Sequence, residues 1–179
     1  MDYTNLRRQI ISMKKSLFDQ GYLDEQFNQL EELQDDSSPN FVEEVVALFF
    51  KDSSRLLTNI EQALEKYPQD FYRLDSLVHQ FKGSGSSIGA LRMKNECSMF
   101  KAHCNDRNLE GYRTLDDSSS SIPASHSLLL HLIPWLTLRC RRSLQKMKRE
   151  HATLKQKLET YFHLLRQVGP PERAVNSWK

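Results

Sequence analysis

Apolar side chains recur every three or four positions through most of this chain, and this spacing restricts its fold to packed helices. The first stretch shows the pattern, with Leu6, Ile10, Met13 and Leu17 spaced by four, three and four residues. Helices bury one such stripe and leave the opposite face to water. Only six glycines and six prolines interrupt the 179 residues. We therefore predict an all-α fold in a single domain of moderate size.

Turn and capping residues separate six predicted helices. Gly21, Pro68 and Gly89 end three of them, and Ser38 with Pro39 suits the N-cap and first turn of the third. The predicted helices span residues 3–20, 23–33, 40–67, 71–88, 91–108 and 140–167.

The last predicted helix carries a heptad seam, with spacings that alternate between three and four residues. Its members are Leu144, Met147, His151, Leu154, Leu158, Tyr161 and Leu165. Such a seam suits either a coiled-coil dimer or one helix of an antiparallel bundle, because both use the same packing. Since several other amphipathic helices occur in the same chain, we favour the antiparallel bundle.

The cysteines indicate the redox compartment, and the charges are distributed unevenly along the chain. Three cysteines at spacings unlike zinc motifs favour a reducing compartment, and the first residues lack a secretory pattern. We interpret Cys97 and Cys104 as small buried residues of one helix face, and we expect no metal site. Residues 1–111 carry 13 basic and 18 acidic groups, whereas residues 140–179 carry 10 basic and 3 acidic groups. The body is therefore acidic and the last helix basic.

The segment from residue 112 to 139 departs from the helical pattern. It opens with two aspartates and four serines and continues into an apolar run at residues 128–136 that contains Pro134. The run is too short to span a bilayer. We predict an insertion or a disordered loop at 112–139, with an ordinary long loop as the alternative, although structureless loops of this length are uncommon in compact domains.

His79 lies in the most informative stretch, Val78-His79-Gln80-Phe81-Lys82-Gly83-Ser84-Gly85-Ser86-Ser87-Ile88-Gly89-Ala90. Helical geometry places His79, Lys82, Gly83, Ser86 and Ser87 on one stripe, opposite the apolar residues. An accessible imidazole is nucleophilic near neutral pH, and a lysine ammonium can neutralise phosphoryl oxygens. An ordinary surface histidine is the alternative, but it does not explain a mid-helix glycine that costs about 1 kcal/mol relative to alanine.

This stretch resembles the phosphoacceptor motif of plant histidine-containing phosphotransfer (HPt) proteins, which act in multistep two-component relays. The stretches Phe41–Phe50 and Asn108–Gly111 also resemble that family, as do residues 140–170. The resemblance implies an antiparallel four-helix bundle of HPt type with additional N-terminal helices. It implies one domain over residues 1–170, interrupted at 112–139, and a C-terminal tail at 171–179.

The resemblance also implies a function. His79 is expected to accept a phosphoryl group from the receiver domain of a hybrid histidine kinase and to pass it to an aspartate of a response regulator, as in cytokinin-type signalling. Lys82 would supply charge and Gly83 clearance, while Gln80, Ser84, Ser86 and Ser87 would border the phosphoryl group or the docked partner. The chain would be a carrier and not an enzyme, would have no cofactor of its own because the receiver supplies Mg²⁺, and would be cytoplasmic and nuclear without binding membranes.

The competing interpretation is a coiled-coil or nucleic-acid-binding adaptor built on the basic last helix. The basic strip of this helix comprises Arg139, Arg141, Arg142, Lys146, Lys148, Arg149, Lys155 and Lys157. Basic strips bind phosphate backbones through counterion release. No interleaved aromatic residues accompany this strip, and an acidic body can use it internally, so we expect no nucleic-acid partner.

Overall fold

The computed structural model describes residues 3–66, 70–113 and 124–168, with side-chain surroundings for 3–66, 70–104 and 137–168. The helices are α1 (Tyr3–Asp19), α2 (Glu25–Glu32), α3 (Phe41–Glu65), α4 (Phe71–Ser87), α5 (Leu91–Arg113) and α6 (Ala124–Val168). Over these residues the only β-type pairing is an isolated bridge between Leu23 and Ala90. The predicted all-α class is confirmed.

Helices α3, α4, α5 and α6 form a four-helix bundle in which each helix packs against the next and α3 closes the ring against α6. Helix α1 packs on the outside of α6, and α2 contacts α4. One hydrophobic core runs through the bundle, and its largest fully buried side chains include Tyr161, Phe27, Phe81 and Phe100. The predicted bundle with two additional N-terminal helices is confirmed.

The heptad seam of α6 lies inside this bundle. Leu144, Met147, Leu154, Leu158 and Tyr161 are each 2% exposed or less. The seam is therefore covered by other helices of the same chain and is not free to form a coiled-coil dimer.

The N-terminal boundary of α3 differs from the prediction. The N-cap is Asn40, which makes no side-chain capping hydrogen bond, and not Ser38. The backbone N–H groups of Ser37 and Ser38 both donate to Asp35 Oδ1, at 3.0 Å each. Ser38 is thus held in a turn around the Asp35 carboxylate, which places it before the helix and explains why the prediction was wrong.

The other differences flank the segment from residue 112 to 139. Helix α5 continues to Arg113 and not Asn108, and α6 begins at Ala124 and not Cys140. Extending an existing helix adds a hydrogen bond for each residue without a new nucleus, so the leucine-rich run joins α6 although it lacks an amphipathic period. Pro134 removes one hydrogen bond but does not end the helix. Residues 114–123 lie outside the described residues, and the insertion remains a prediction.

The body of the protein uses part of the basic strip on α6. Lys148 pairs with Glu61 of α3, and the Lys157 ammonium lies 4.9 Å from the centre of the Tyr22 ring. Lys155 pairs with Glu159 at 3.9 Å. The exposed remainder is Arg141, Arg142, Lys146 and Arg149. Within the described residues, no helix is long and apolar enough to cross a membrane.

Candidate functional site

Helix α4 presents His79 to solvent because its apolar residues fall on the opposite face. Asp70 caps the helix by accepting a hydrogen bond from the backbone N–H of Arg73 at 2.9 Å. Leu74, Val78 and Phe81 are fully buried in the core. This anchored face fixes the helix rotation, so the predicted outward stripe is the one that the structure shows.

His79 is exposed, Lys82 is half-buried and Gly83 is exposed on this outward stripe. Neither the side chain of His79 nor that of Lys82 makes a hydrogen bond or an ion pair with another described residue. An imidazole and an ammonium on adjacent turns of one helix face are therefore both available to an incoming group. This arrangement suits nucleophilic chemistry on an anionic electrophile.

Lys82 is half-buried, and its charge acts on Cys97 of α5. Burial raises the pKa of the Cys97 thiol to about 12, and the charge of Lys82 acts against that rise. The ammonium thus lies close enough to α5 to influence Cys97. Cys97 and Cys104 are both buried, as predicted, and a thiol with so high a pKa is inert at neutral pH.

Gly83 leaves open space above the helix. A Cβ atom built at this residue has no neighbour within 4 Å, whereas one built at buried Gly85 would meet the Ala90 Cβ at 3.8 Å. A methyl group at position 83 would therefore not crowd His79, so the clearance expected of Gly83 matters only against side chains larger than alanine. The glycine leaves room for something outside the chain.

Ser86 and Ser87 hydrogen-bond to the backbone of their own helix, whereas half-buried Ser84 makes no side-chain hydrogen bond to a described residue. Ser86 Oγ donates to the Lys82 carbonyl at 3.0 Å, and Ser87 Oγ donates to the Ser84 carbonyl at 2.7 Å. Since these hydroxyl protons are engaged, Ser86 and Ser87 can offer lone pairs but not free donors. Phosphoryl oxygens need donors, so the geometry favours a filler role for these serines over direct phosphoryl contact.

The last glycine of the stretch has a structural role. Gly89 adopts φ +69°, and a Cβ there would lie 2.7 Å from both Asp24 Oδ1 and the Phe27 nitrogen. Its carbonyl accepts a hydrogen bond from the Asp24 backbone N–H at 2.9 Å. Gly89 therefore ties the end of α4 to the start of α2. The first part of the stretch therefore presents His79 and Lys82 outward, and its last residues hold α4 against α2.

Two residues that sequence reasoning missed share the face of His79. Ser76 and Tyr72 are both exposed and lie one and two turns before it. Gln80, predicted as a rim residue, donates to Ser76 Oγ at 3.5 Å. The i−3 and i−7 spacings from His79 were the signal for these residues.

His151 shows what a buried histidine looks like in the same molecule. Its Nε2 lies 2.7 Å from Ser53 Oγ, and its ring packs against Phe50 and Phe81 at 5.2 Å and 6.3 Å between centroids. Burial, and to a lesser extent the charge of Lys155, lowers its pKa from 6.5 to about 4. It is a core residue, as expected from its place in the seam. Among the described residues, no three His, Cys, Asp or Glu side chains gather as metal ligands.

Comparisons with known proteins point to one family. A family profile described as Hpt domain matches residues 44–132. The pseudo histidine-containing phosphotransfer protein 2 of rice is 73% identical over 100% of both chains. The histidine-containing phosphotransfer protein 4 of Arabidopsis thaliana is 51% identical over 80% of this chain and 91% of its own.

Solved structures agree with these sequence matches. A histidine-containing phosphotransfer protein from Medicago truncatula superposes with a TM-score of 0.72 at 37% identity, over 94% of each chain. One from maize superposes with a TM-score of 0.71 at 32% identity, over 91% of this chain and 99% of its own. The chain is similar to these proteins in fold as well as in sequence.

Proposed function

Since the chain belongs to the family of histidine-containing phosphotransfer proteins, we propose that it carries a phosphoryl group between receiver domains on His79. The donor is the receiver domain of a hybrid histidine kinase, and the acceptor is an aspartate of a response regulator. The observation that carries this proposal is the exposed imidazole of His79, which has no partner among the described residues and lies beside Lys82 on an open helix face.

The transfer is an in-line displacement at phosphorus. A ring nitrogen of neutral His79 uses its lone pair to form the N–P bond, while the bond from phosphorus to the donor's aspartate oxygen breaks and leaves a carboxylate. The proton on the other ring nitrogen can pass to solvent because the ring is exposed. The reverse reaction on a second receiver regenerates His79. Both phosphorylated species are high in energy, so the chain works as a reversible shuttle.

Lys82 and Gly83 assist the transfer without taking part in bonding. The Lys82 ammonium attracts the equatorial phosphoryl oxygens, and charge stabilisation of this kind is the main contribution in phosphoryl transfer. The open space above Gly83 allows the donor's aspartyl phosphate to approach the imidazole. The family is one of carriers, so we propose no kinase activity. Mg²⁺, which neutralises phosphoryl charge when bound, would come from the receiver.

The names of the rice relatives raise a specific question. Relatives called pseudo and relatives called histidine-containing both match this chain. His79 is present here, together with Lys82 and Gly83 at the third and fourth following positions. These residues favour an active carrier over a protein that only competes for receivers. We further propose cytokinin-type signalling and a cytoplasmic and nuclear location, on the basis of family membership.

The test is labelling by a phosphorylated receiver domain. We expect the wild-type chain to acquire phosphate that is acid-labile and base-stable, and His79→Gln to acquire none. His163→Gln is a matched control, because His163 is exposed on α6 and bonds only its neighbour Gln167 at 2.9 Å among described residues. Labelling of His79→Gln, or loss of labelling in His163→Gln, would contradict the assignment.

A further inference from the structure

We infer that Tyr72 is the apolar anchor of a receiver-docking surface centred on His79. Its receivers should present an apolar pocket about 10 Å from their phosphorylated aspartate, the distance that seven residues of helix rise set between Tyr72 and His79. This inference rests on the proposed function and adds a determinant of partner affinity to it.

Tyr72 is unusual in its exposure. It is 82% exposed, more than any other large apolar side chain among the described residues. A single exposed aromatic is unremarkable on most surfaces. This one precedes His79 by seven residues on the same helix, so the two side chains project within about 20° of each other.

The residues around Tyr72 leave it accessible to the partner that reaches His79. Between the two lies Ser76, whose small side chain bonds to Gln80 and does not cover the ring. Asp75, four residues before His79 and on the same helix face, pairs with Lys101 of α5 at 3.1 Å. Along this face the Tyr72 ring is therefore followed by short side chains, the imidazole and the open space at Gly83, and the Asp75 carboxylate is already paired.

The size of a docked receiver places Tyr72 inside the interface. Even a small transient interface covers roughly 600 Å² on each partner, which corresponds to a disc of about 14 Å radius. A receiver centred on His79 therefore covers Tyr72. Tyrosine gains much from such burial because its ring offers a large apolar area with few rotatable bonds, and it is enriched among residues that dominate binding energy.

The experiment compares Tyr72→Ala, Tyr72→Phe and Tyr3→Ala with the wild-type chain. Tyr3→Ala is a matched control, because Tyr3 is 54% exposed on α1, which packs on α6, diagonally across the bundle from α4. Each chain is titrated with the isolated receiver domain of a hybrid histidine kinase to obtain Kd. Transfer from the phosphorylated receiver gives kcat and KM, and phosphoramidate serves as a small donor that needs no docking.

We expect Tyr72→Ala to raise Kd and KM about tenfold or more, with kcat and phosphoramidate labelling unchanged. Tyr72→Phe and Tyr3→Ala should resemble the wild type. The inference is overturned if Tyr72→Ala binds normally, if Tyr3→Ala weakens binding equally, or if Tyr72→Phe is as weak as Tyr72→Ala.

The same data separate this inference from the proposed function. A wild-type chain that binds the receiver but takes no label would contradict the shuttle, while the Kd comparison would still decide the role of Tyr72. A wild-type chain that neither binds nor takes label would overturn both.

Discussion

Lys82 is the one cationic side chain on the helix face that carries His79, where the other charged residue is Asp75. Replacing it with alanine should slow phosphoryl transfer by about 5- to 150-fold, because a charge beside a transferring phosphoryl group contributes roughly 1–3 kcal/mol. Circular dichroism should show an intact bundle, since Lys82 is only half-buried and its side chain bonds to no other described residue. Lys82→Arg, which keeps the charge, should lose less. An unchanged transfer rate in Lys82→Ala would assign the residue to solubility alone.

Gly83 and Gly89 should respond in opposite directions to the same substitution. Gly83→Ala should raise the free energy of unfolding by up to about 1 kcal/mol, because space is open and alanine favours helices. Gly89→Ala should lower it by at least about 2 kcal/mol, because its positive φ disfavours a side chain and its Cβ would collide with the start of α2. Urea unfolding measures both.

A larger side chain at position 83 tests access separately from folding. Gly83→Leu should fold normally yet lose transfer from a receiver domain. Normal transfer by Gly83→Leu would refute the role of Gly83 in access to His79. Equal changes in the free energy of unfolding for Gly83→Ala and Gly89→Ala would refute the distinct roles of the two glycines.

For individual residues, the candidate phosphoacceptor site was easier to predict from the sequence than the residues that hold the fold together. The helical spacing of His79, Lys82 and Gly83 is visible in the sequence because it depends only on residues within two turns. The role of Gly89 is not, because it depends on α2, which lies more than fifty residues earlier in the chain. Tyr72 was missed for a different reason, since exposure cannot be read from an aromatic residue that could equally have filled the core.

The His151–Ser53 contact between α6 and α3 makes the stability of the bundle depend on pH. The pKa of His151 is about 4 in the folded chain and 6.5 when unfolded, so only the unfolded state binds the proton between these values. Its contribution is present above pH 6.5 and is lost as the pH falls toward 4. Between pH 7 and pH 4 the loss should be roughly 3 kcal/mol.

Urea unfolding of the wild type and of His151→Leu at several pH values measures this loss. Carboxylates titrate in both proteins, so the difference between them isolates His151. A difference that does not change between pH 7 and pH 4 would contradict the assignment.

Helix packing was predictable wherever an amphipathic stripe extends through a whole helix. The heptad spacing of leucine and methionine in α6 predicted that this face is buried, because an apolar stripe of a bundle helix packs toward the core. The N-terminal boundaries of α3 and α6 were not predictable, because in each case the same residues suit two local structures. Ser38 could cap the helix but is instead held in a turn by the Asp35 carboxylate. The run before Cys140 could form a loop but instead extends α6.

The segment from residue 112 to 139 is the part of the whole molecule that we expect to be dispensable. The Lys101–Asp75 pair sets the register of α5 against α4. In this register Asn108 lies eleven residues of rise beyond His79, about 16 Å away along the bundle. The segment therefore begins outside the surface on which a receiver docks.

Joining Gly111 directly to Cys140 should preserve phosphorylation of His79 and raise the soluble yield. Cys104 and Cys140 already lie side by side, with sulfur atoms 4.0 Å apart. If α5 ends near Cys104 in the deletion variant, residues 105–111 are enough for the hairpin turn. Removal of the apolar run at 128–136 should reduce association, because uncharged leucine-rich runs promote it. Gel filtration and labelling measure these effects. A deletion variant that unfolds or loses transfer would show that the segment is part of the fold.

If the exposed imidazole of His79 moves a phosphoryl group between two proteins, the group should pass through it in two separate steps. The chain is labelled from one phosphorylated receiver domain, purified, and mixed with a second, unphosphorylated receiver. We expect the label to leave His79 and appear on the second receiver's aspartate, and we expect His79→Gln to transfer none. Label that reaches the second receiver equally well with His79→Gln, or that stays on the wild-type chain, would contradict this expectation.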